Sequence, residues 1–123
     1  MPRILFVCHG NICRSTMAQF VMAELARRAG RADEFVVDSA ATSREARQVR
    51  RDEYGDWDHI VYMDAENAWG LSRILRGDPD GKVSRLLDWT DSPRDVADPW
   101  YTGDFDATYR DVLAGCTALL EQL

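Results

Sequence analysis

The sequence predicts an α/β fold, a four-stranded parallel sheet flanked by helices, on three observations. The run Ile4-Leu5-Phe6-Val7 is apolar without alternation, as a central parallel strand buried on both faces requires. It passes through a short polar loop into a segment where Met17, Phe20, Val21 and Leu25 recur at helical spacing. A second strand-like stretch follows and completes a βαβ unit, which should cross over right-handed. At 123 residues the chain is expected to be one domain, residues 1–123, long enough to bury a real core.

Residues 3–7 are the first strand. The first helix runs from Ser15 to about Ala29, with Arg27, Arg28 and Arg31 near its C-terminal end and Gly30 as its stop. Residues 34–38 make the second strand. Residues 39–57 leave just enough chain for a parallel crossover, which needs about a dozen residues, with a short helix around Arg51 to Trp57. Residues 58–63 form strand three. Asp64 caps a helix from about Ala65 to Leu75, with Trp69, Leu71, Ile74 and Leu75 turned inward. Gly77-Asp78-Pro79-Asp80-Gly81 is a turn, and Lys82 to Leu87 is strand four. Residues 88–103, rich in Asp and Pro, read as a long loop of the kind that carries function. The last helix, Asp104 to about Leu120, sets Phe105, Tyr109, Val112, Cys116, Leu119 and Leu123 on one stripe, with Cys116 a core residue.

A net charge of −6 argues against nucleic acid or an anionic membrane as the main partner, because a phosphate-rich surface is repelled on average. No apolar run approaches the length of a membrane span, and the N-terminus carries no charged-then-apolar signal, so a cytoplasmic location is expected. The three cysteines, two of them in one loop, fit a reducing compartment better than a disulfide scaffold. The chain shows no repeats, no low-complexity tract and no cluster with metal-ligand spacing, so neither metal nor cofactor is expected.

The chemistry concentrates in the loop after strand one. A thiol at the strand's end, Cys8, and a guanidinium six positions later, Arg14, can face one point while the intervening backbone N–H groups turn inward as an anion-binding nest. A phosphate-sized dianion fits there. Inward amides, a helix N-terminus and an adjacent Arg all favour the thiolate, so Cys8 is the candidate nucleophile. The planar fork of Arg14 matches two equatorial oxygens of a phosphoryl group. Gly10 lets the backbone close on the ligand, Asn11 tolerates a left-handed conformation, and the Ser15 hydroxyl can donate to the sulfur.

The stretch Val7-Cys8-His9-Gly10-Asn11-Ile12-Cys13-Arg14-Ser15-Thr16-Met17-Ala18 resembles the signature of the low-molecular-weight protein tyrosine phosphatases, a strand followed by C-x-G-N-I-C-R-S and a helix. The resemblance implies a sheet in the order 2-1-3-4. It also implies a phosphate-binding loop formed by His9, Gly10, Asn11, Ile12, Cys13, Arg14 and Ser15. Ser39, in Ser39-Ala40-Ala41-Thr42-Ser43, would support the loop by holding Asn11, or else it simply caps the strand end. Cys13 would form a reversible disulfide with Cys8, the alternative being a small buried side chain. The chain departs from the pattern after Thr42-Ser43, where the family usually carries about thirty further residues before the equivalent of Ala46-Arg47-Gln48-Val49. One crossover helix is therefore missing, exposed apolar surface or disorder is expected nearby, and residues 39–50 are the candidate mobile region.

A phenolate leaving group also needs a proton donor. Asp78-Pro79 lies in a short turn expected at the far end of the sheet, whereas Asp98-Pro99-Trp100-Tyr101 follows strand four on the ligand side and resembles the family's late D-P-aromatic-aromatic motif. Asp98 is thus the expected general acid. Trp100 and Tyr101 become one wall of a cleft for the substrate ring, with core packing or partner binding as the alternative. His9 is read as a rim residue, His59 as a strand-edge residue, and Asp88, Asp91, Asp95, Asp104 and Asp106 as a solvated acidic face.

The reaction implied is hydrolysis of phosphotyrosine in a protein or peptide, and of small aryl phosphates, through a phosphocysteine, by a monomer or weak dimer. Arsenate reduction needs further cysteines mid-chain, and residues 14–115 have none. A phosphoarginine phosphatase tends to carry Thr at the position of Ile12. The remaining alternative is a weakened module that binds phosphate or a phosphoprotein.

Overall fold

In a computed structural model of the chain, which describes residues 2–10, 14–44 and 46–123, four parallel strands form one sheet. They are β1 (Arg3–Cys8), β2 (Val36–Ala41), β3 (His59–Tyr62) and β4 (Val83–Arg85). Their order is β2-β1-β3-β4, as expected. β1 is central, paired with β2 from Arg3↔Val36 to Cys8↔Ala41 and with β3 from Ile4↔His59 to Val7↔Tyr62. The described α-helices are α1 (Arg14–Arg28), α2 (Ala65–Leu75), the single turn α3 (Pro99–Thr102) and α4 (Phe105–Gln122).

The absence of alternation in Ile4-Leu5-Phe6-Val7 follows from burial on both faces. Ile4 and Phe6 pack with Val21 and Met22 of α1 and with Val112, Cys116 and Leu119 of α4. Leu5 and Val7 point the other way, against Val49, Trp57 and the α2 residues Leu71 and Leu75. These four β1 side chains are fully buried, each contributing roughly 1.5–3 kcal/mol of transfer free energy.

Several boundaries and orientations differ from expectation, each for a packing reason. β2 starts later, because Ala32–Glu34 forms a 3₁₀ turn, and it continues to Ala41. β4 stops at Arg85, and Leu86–Trp89 coils into another 3₁₀ turn. In a strand Leu86 and Leu87 would face opposite sides; the turn delivers both to the core shared by α1 and α4. Trp69 is 63 % exposed rather than inward. Two residues along a helix is about 200° of rotation, which sets Trp69 opposite the buried Asn67 and Leu71. Phe20 on α1 is likewise exposed, as are Phe105 and Tyr109 at the start of α4, whose first buried residue is Thr108.

The short crossover is tied to the sheet. Val49 donates its N–H to Ala41 O at 2.8 Å, Ala41 to Arg47 O at 2.7 Å, Thr42 to Cys8 O at 3.0 Å and Ser43 to His9 O at 2.9 Å. Backbone bonds therefore tie down residues 41–43, 47 and 49 of the segment expected to be mobile. A 3₁₀ turn, Arg51–Asp56, follows, organised by the buried Glu53 carboxylate, which accepts from Arg50 N and Trp57 Nε1 and pairs with Arg47. The sheet face expected to be left bare is covered, Leu5 and Val7 being fully buried, and the exposed apolar side chain nearby is Trp69 of α2. Among the described residues no helix is long and apolar enough to cross a membrane.

Gly115 of α4 faces Leu86 so closely that an added Cβ would overlap the fully buried Leu86 side chain. Gly115→Ala should gain about 1 kcal/mol of helix propensity but lose more to overpacking. A net destabilisation of roughly 1–2 kcal/mol is expected, read as a lower urea midpoint.

Candidate active site

The site forms where β1 ends and α1 begins. Cys8 closes β1 and is 4 % exposed; its Sγ lies 3.0 Å from Ser15 Oγ in the first turn of α1. Arg14, the first residue of α1, is also 4 % exposed. A guanidinium that deeply buried requires acceptors and counter-charge. Nη1 donates to Val96 O at 3.0 Å, and Nη2 stands 2.8 Å from Asp64 Oδ2 and 3.4 Å from Asp98 Oδ2.

Each of those partners is held by its own surroundings. Asp64 caps α2: its Oδ1 accepts from Asn67 N at 2.9 Å, while Asn67 Oδ1 accepts from the backbone N–H groups of Met63 and Asp64. Asp98 caps α3, its Oδ1 accepting from Trp100 N at 3.0 Å with Pro99 in the first helical position. The loop carrying Val96 and Asp98 is fastened to β3 and α4. Val96 N donates to Met63 O at 2.9 Å, and Thr108 Oγ1 donates to Ala97 O at 2.8 Å. Asp111, 8 % exposed on α4, accepts from Ala97 N at 2.9 Å and from both terminal nitrogens of Arg94 at 2.8 and 2.6 Å. Arg94 holds the Asp111 carboxyl below its ordinary pKa, against the opposing effect of burial.

A cavity of 410 Å³ opens over this assembly, lined by Cys8, His9, Gly10, Arg14, Glu66, Asn67, Asp98, Trp100 and Tyr101. Trp100 and Tyr101 are largely exposed at its margin. The structure thus brings Cys8, Arg14, Asp98, His9, Gly10, Trp100 and Tyr101 to one place, with Ser15 beside the sulfur. Ser39 is buried near the end of β2, and its hydroxyl donates to Gln19 Oε1 at 2.6 Å. The expectations for Asn11, Ile12 and Cys13, as loop ligands, as Ser39's partner and as Cys8's redox partner, fall outside the described residues.

Asp78 serves a different purpose. Its carboxylate accepts from Tyr54 OH and from the N–H groups of Lys82 and Val83, fixing the turn that enters β4. Of the five aspartates read as a solvated face, Asp88 and Asp95 pair with Arg85 and Asp104 caps α4. Cys116 is a core residue as expected, and burial raises its thiol pKa.

Sequence reasoning saw Asp64 only as a helix cap and overlooked its contact with Arg14. Its place directly after β3, at the carboxyl ends of parallel strands where ligand groups gather, was the available signal. Asp111 was overlooked too; a lone acid on the buried stripe of α4 was the sign.

A three-layer α/β domain with a thiol, a buried guanidinium and a carboxylate at the C-terminal edge of its central strand defines an oxyanion-binding class of protein. The family model of low molecular weight phosphotyrosine protein phosphatases matches residues 3–46 and 41–123, and the chain belongs to that family of phosphoric monoester hydrolases. It is 33 % identical to the low molecular weight protein-tyrosine-phosphatase YfkJ of Bacillus subtilis, in an alignment covering 100 % of this chain and 96 % of that one. It is 31 % identical to the low molecular weight phosphotyrosine protein phosphatase of Rattus norvegicus, covering 97 % and 94 %. The crystal structure of YfkJ superposes with a TM-score of 0.91 at 32 % identity over 99 % of this chain and 94 % of that one. The Streptococcus pyogenes enzyme SP-PTP, a low molecular weight protein tyrosine phosphatase, gives a TM-score of 0.86 at 30 % identity, covering 100 % and 93 %. The alignment with YfkJ spans 150 positions against 123 residues here, and the two family-model segments meet at 41–46, where the crossover is short.

Because the Asp111 pKa is lowered on folding, its contacts stabilise the protein above the ordinary carboxylate range of about pH 4 and lose that effect as the pH falls through the depressed value. Asp111→Asn should cost roughly 1–3 kcal/mol at neutral pH. Denaturation of both proteins across a pH series should show the gap narrowing as pH drops from about 5 towards 3.

Proposed function

We propose that the protein is a cysteine-dependent protein tyrosine phosphatase, acting in the cytoplasm on phosphotyrosine-containing proteins or peptides and on small aryl phosphates. The observation that carries this reading is that Cys8, Arg14 and Asp98 open on one cavity with two aromatic rings at its margin. Family membership and the relatives' names support it.

In the first step Cys8 Sγ attacks phosphorus in line, the bond to the phenolic oxygen breaks, and Asp98 delivers a proton to that oxygen. In the second, Asp98 as carboxylate takes a proton from a water that attacks the phosphocysteine, releasing phosphate and the thiolate. Ser15 donates to the sulfur as it attacks and as it leaves. Arg14 carries five donors, and its anchors on Val96 and Asp64 fix the plane in which it meets the equatorial oxygens. Trp100 and Tyr101 flank the phenyl ring. On sequence grounds the loop from His9 through Gly10, Asn11, Ile12 and Cys13 completes the oxyanion cradle. Ser39 supports Asn11, and Cys13 is the thiol that pairs with Cys8 under oxidation. The working unit is read as a monomer or weak dimer.

The test is phosphate release from an aryl phosphate and from phosphotyrosine peptides. Cys8→Ser should bring turnover to background, and unchanged turnover would falsify the mechanism. Asp98→Ala should lower kcat by roughly 10²–10⁴-fold for phenols that leave poorly, and by less for an activated phenol.

A further inference from the structure

A second cavity, of 440 Å³, lies beside the first, and His9 and Glu66 line both, so the two are contiguous along that rim. Its walls come from the chain after β2 and from α2, which meet where Gly70 passes Thr42 with room for no more than a tight Cβ contact of 3.0 Å. The shortened crossover contributes Arg44, and α2 contributes Trp69 and Arg73. The Arg73 guanidinium lies 4.9 Å from the centre of the exposed Trp69 ring. Arg27, Arg47, Arg85 and Arg94 are each ion-paired. Among the described residues no carboxylate pairs with Arg44 or Arg73. On a chain of net charge −6, that places two arginines without an ion pair among the described residues next to the proposed catalytic cavity, with Glu66 on their shared wall.

We propose that this second cavity is a subsite for the substrate chain flanking the phosphotyrosine, and that it selects an acidic side chain, Asp or Glu, a few residues from the phosphorylated ring. The inference rests on the phosphatase reading and specifies its substrate class. With the phosphate at Cys8 and the ring against Trp100 and Tyr101, the peptide leaves the first cavity at its mouth, and the rim of His9 and Glu66 leads on to Arg44 and Arg73. A carboxylate arriving there accepts charge-assisted hydrogen bonds, and its stem lies on the Trp69 face. Glu66 repels an acid that stops short of the arginines, so the preference belongs to one position of the peptide and not to net charge at large.

The experiment is a panel of phosphotyrosine peptides carrying Asp, Ala or Lys at one flanking position at a time, on either side, with kcat/KM measured at low and high salt. At one position Asp should exceed Ala by roughly three- to tenfold, with Lys below both. That spread should collapse at about 0.5 M salt, where charges beyond a few ångströms are screened. The double variant Arg44→Glu, Arg73→Glu should reverse the order, favouring Lys, while aryl phosphate turnover stays as in the native protein. Should the double variant not fold, the native panel and its salt dependence decide alone. Peptide turnover indifferent to charge at every position, or a preference that survives the charge reversal, overturns the subsite. Failure of the native protein to hydrolyse the aryl phosphate overturns the phosphatase reading, and the subsite with it.

Discussion

The arrangement hangs on the burial of one charge, the Arg14 guanidinium. At 4 % exposure it has to be ringed by acceptors, and its three acceptors come from two places distant in sequence: the β3–α2 junction through Asp64, and the loop after β4 through Val96 O and Asp98. A single cation thereby draws to one point the ends of two neighbouring strands and the loop that follows β4. The cavity is the space left above that point, so ligand geometry and fold geometry share the same contacts.

The same contacts give the proposed proton donor its place. Asp98 uses one carboxylate oxygen to cap α3, and the other faces Arg14 across 3.4 Å. Its backbone is fixed less by its own turn than by its neighbours: Val96 is bonded to Met63, and Ala97 is clasped between Thr108 and Asp111 of α4. α4 therefore has two jobs, covering one sheet face with Val112, Cys116 and Leu119 and steadying the late loop with Thr108 and Asp111, which precede them.

What could be read in advance was whatever local chemistry determines. The unalternating β1 is buried on both faces as its pattern requires, and Cys8, Arg14 and Asp98, singled out by spacing and by position after β4, line one cavity. Residues whose role is set by a distant partner were less legible. Asp64 is a sound cap in any helix, and nothing local says that its second oxygen meets a guanidinium fifty residues upstream. Leu86-Leu87 suits a strand until α4 supplies a core on one side only. Trp69 reads as inward from the sequence, yet phase decides: Asn67, Leu71 and Leu75 take the buried face and leave it none.

The phase of α2 matters because of the crossover. β2 and β3 flank β1, so the chain between them must pass over the face bearing Leu5 and Val7. Val49 and Trp57 suffice to seal that face alongside Leu71 and Leu75, which is why the sheet survives with so little chain. Closing a shorter loop gains little entropy, since the cost grows only with the logarithm of length, roughly 0.6 kcal/mol per doubling. The larger effect is on cover. A crossover held down at Ala41 and Val49 and packed against Gly70 reaches one edge of α2 and stops there, leaving Trp69 in water with Arg73 stacked over it. That stacking recovers part of what exposure of an indole loses. The short crossover thus leaves the buried faces sealed, and beside the proposed catalytic cavity stand an exposed ring and two cations.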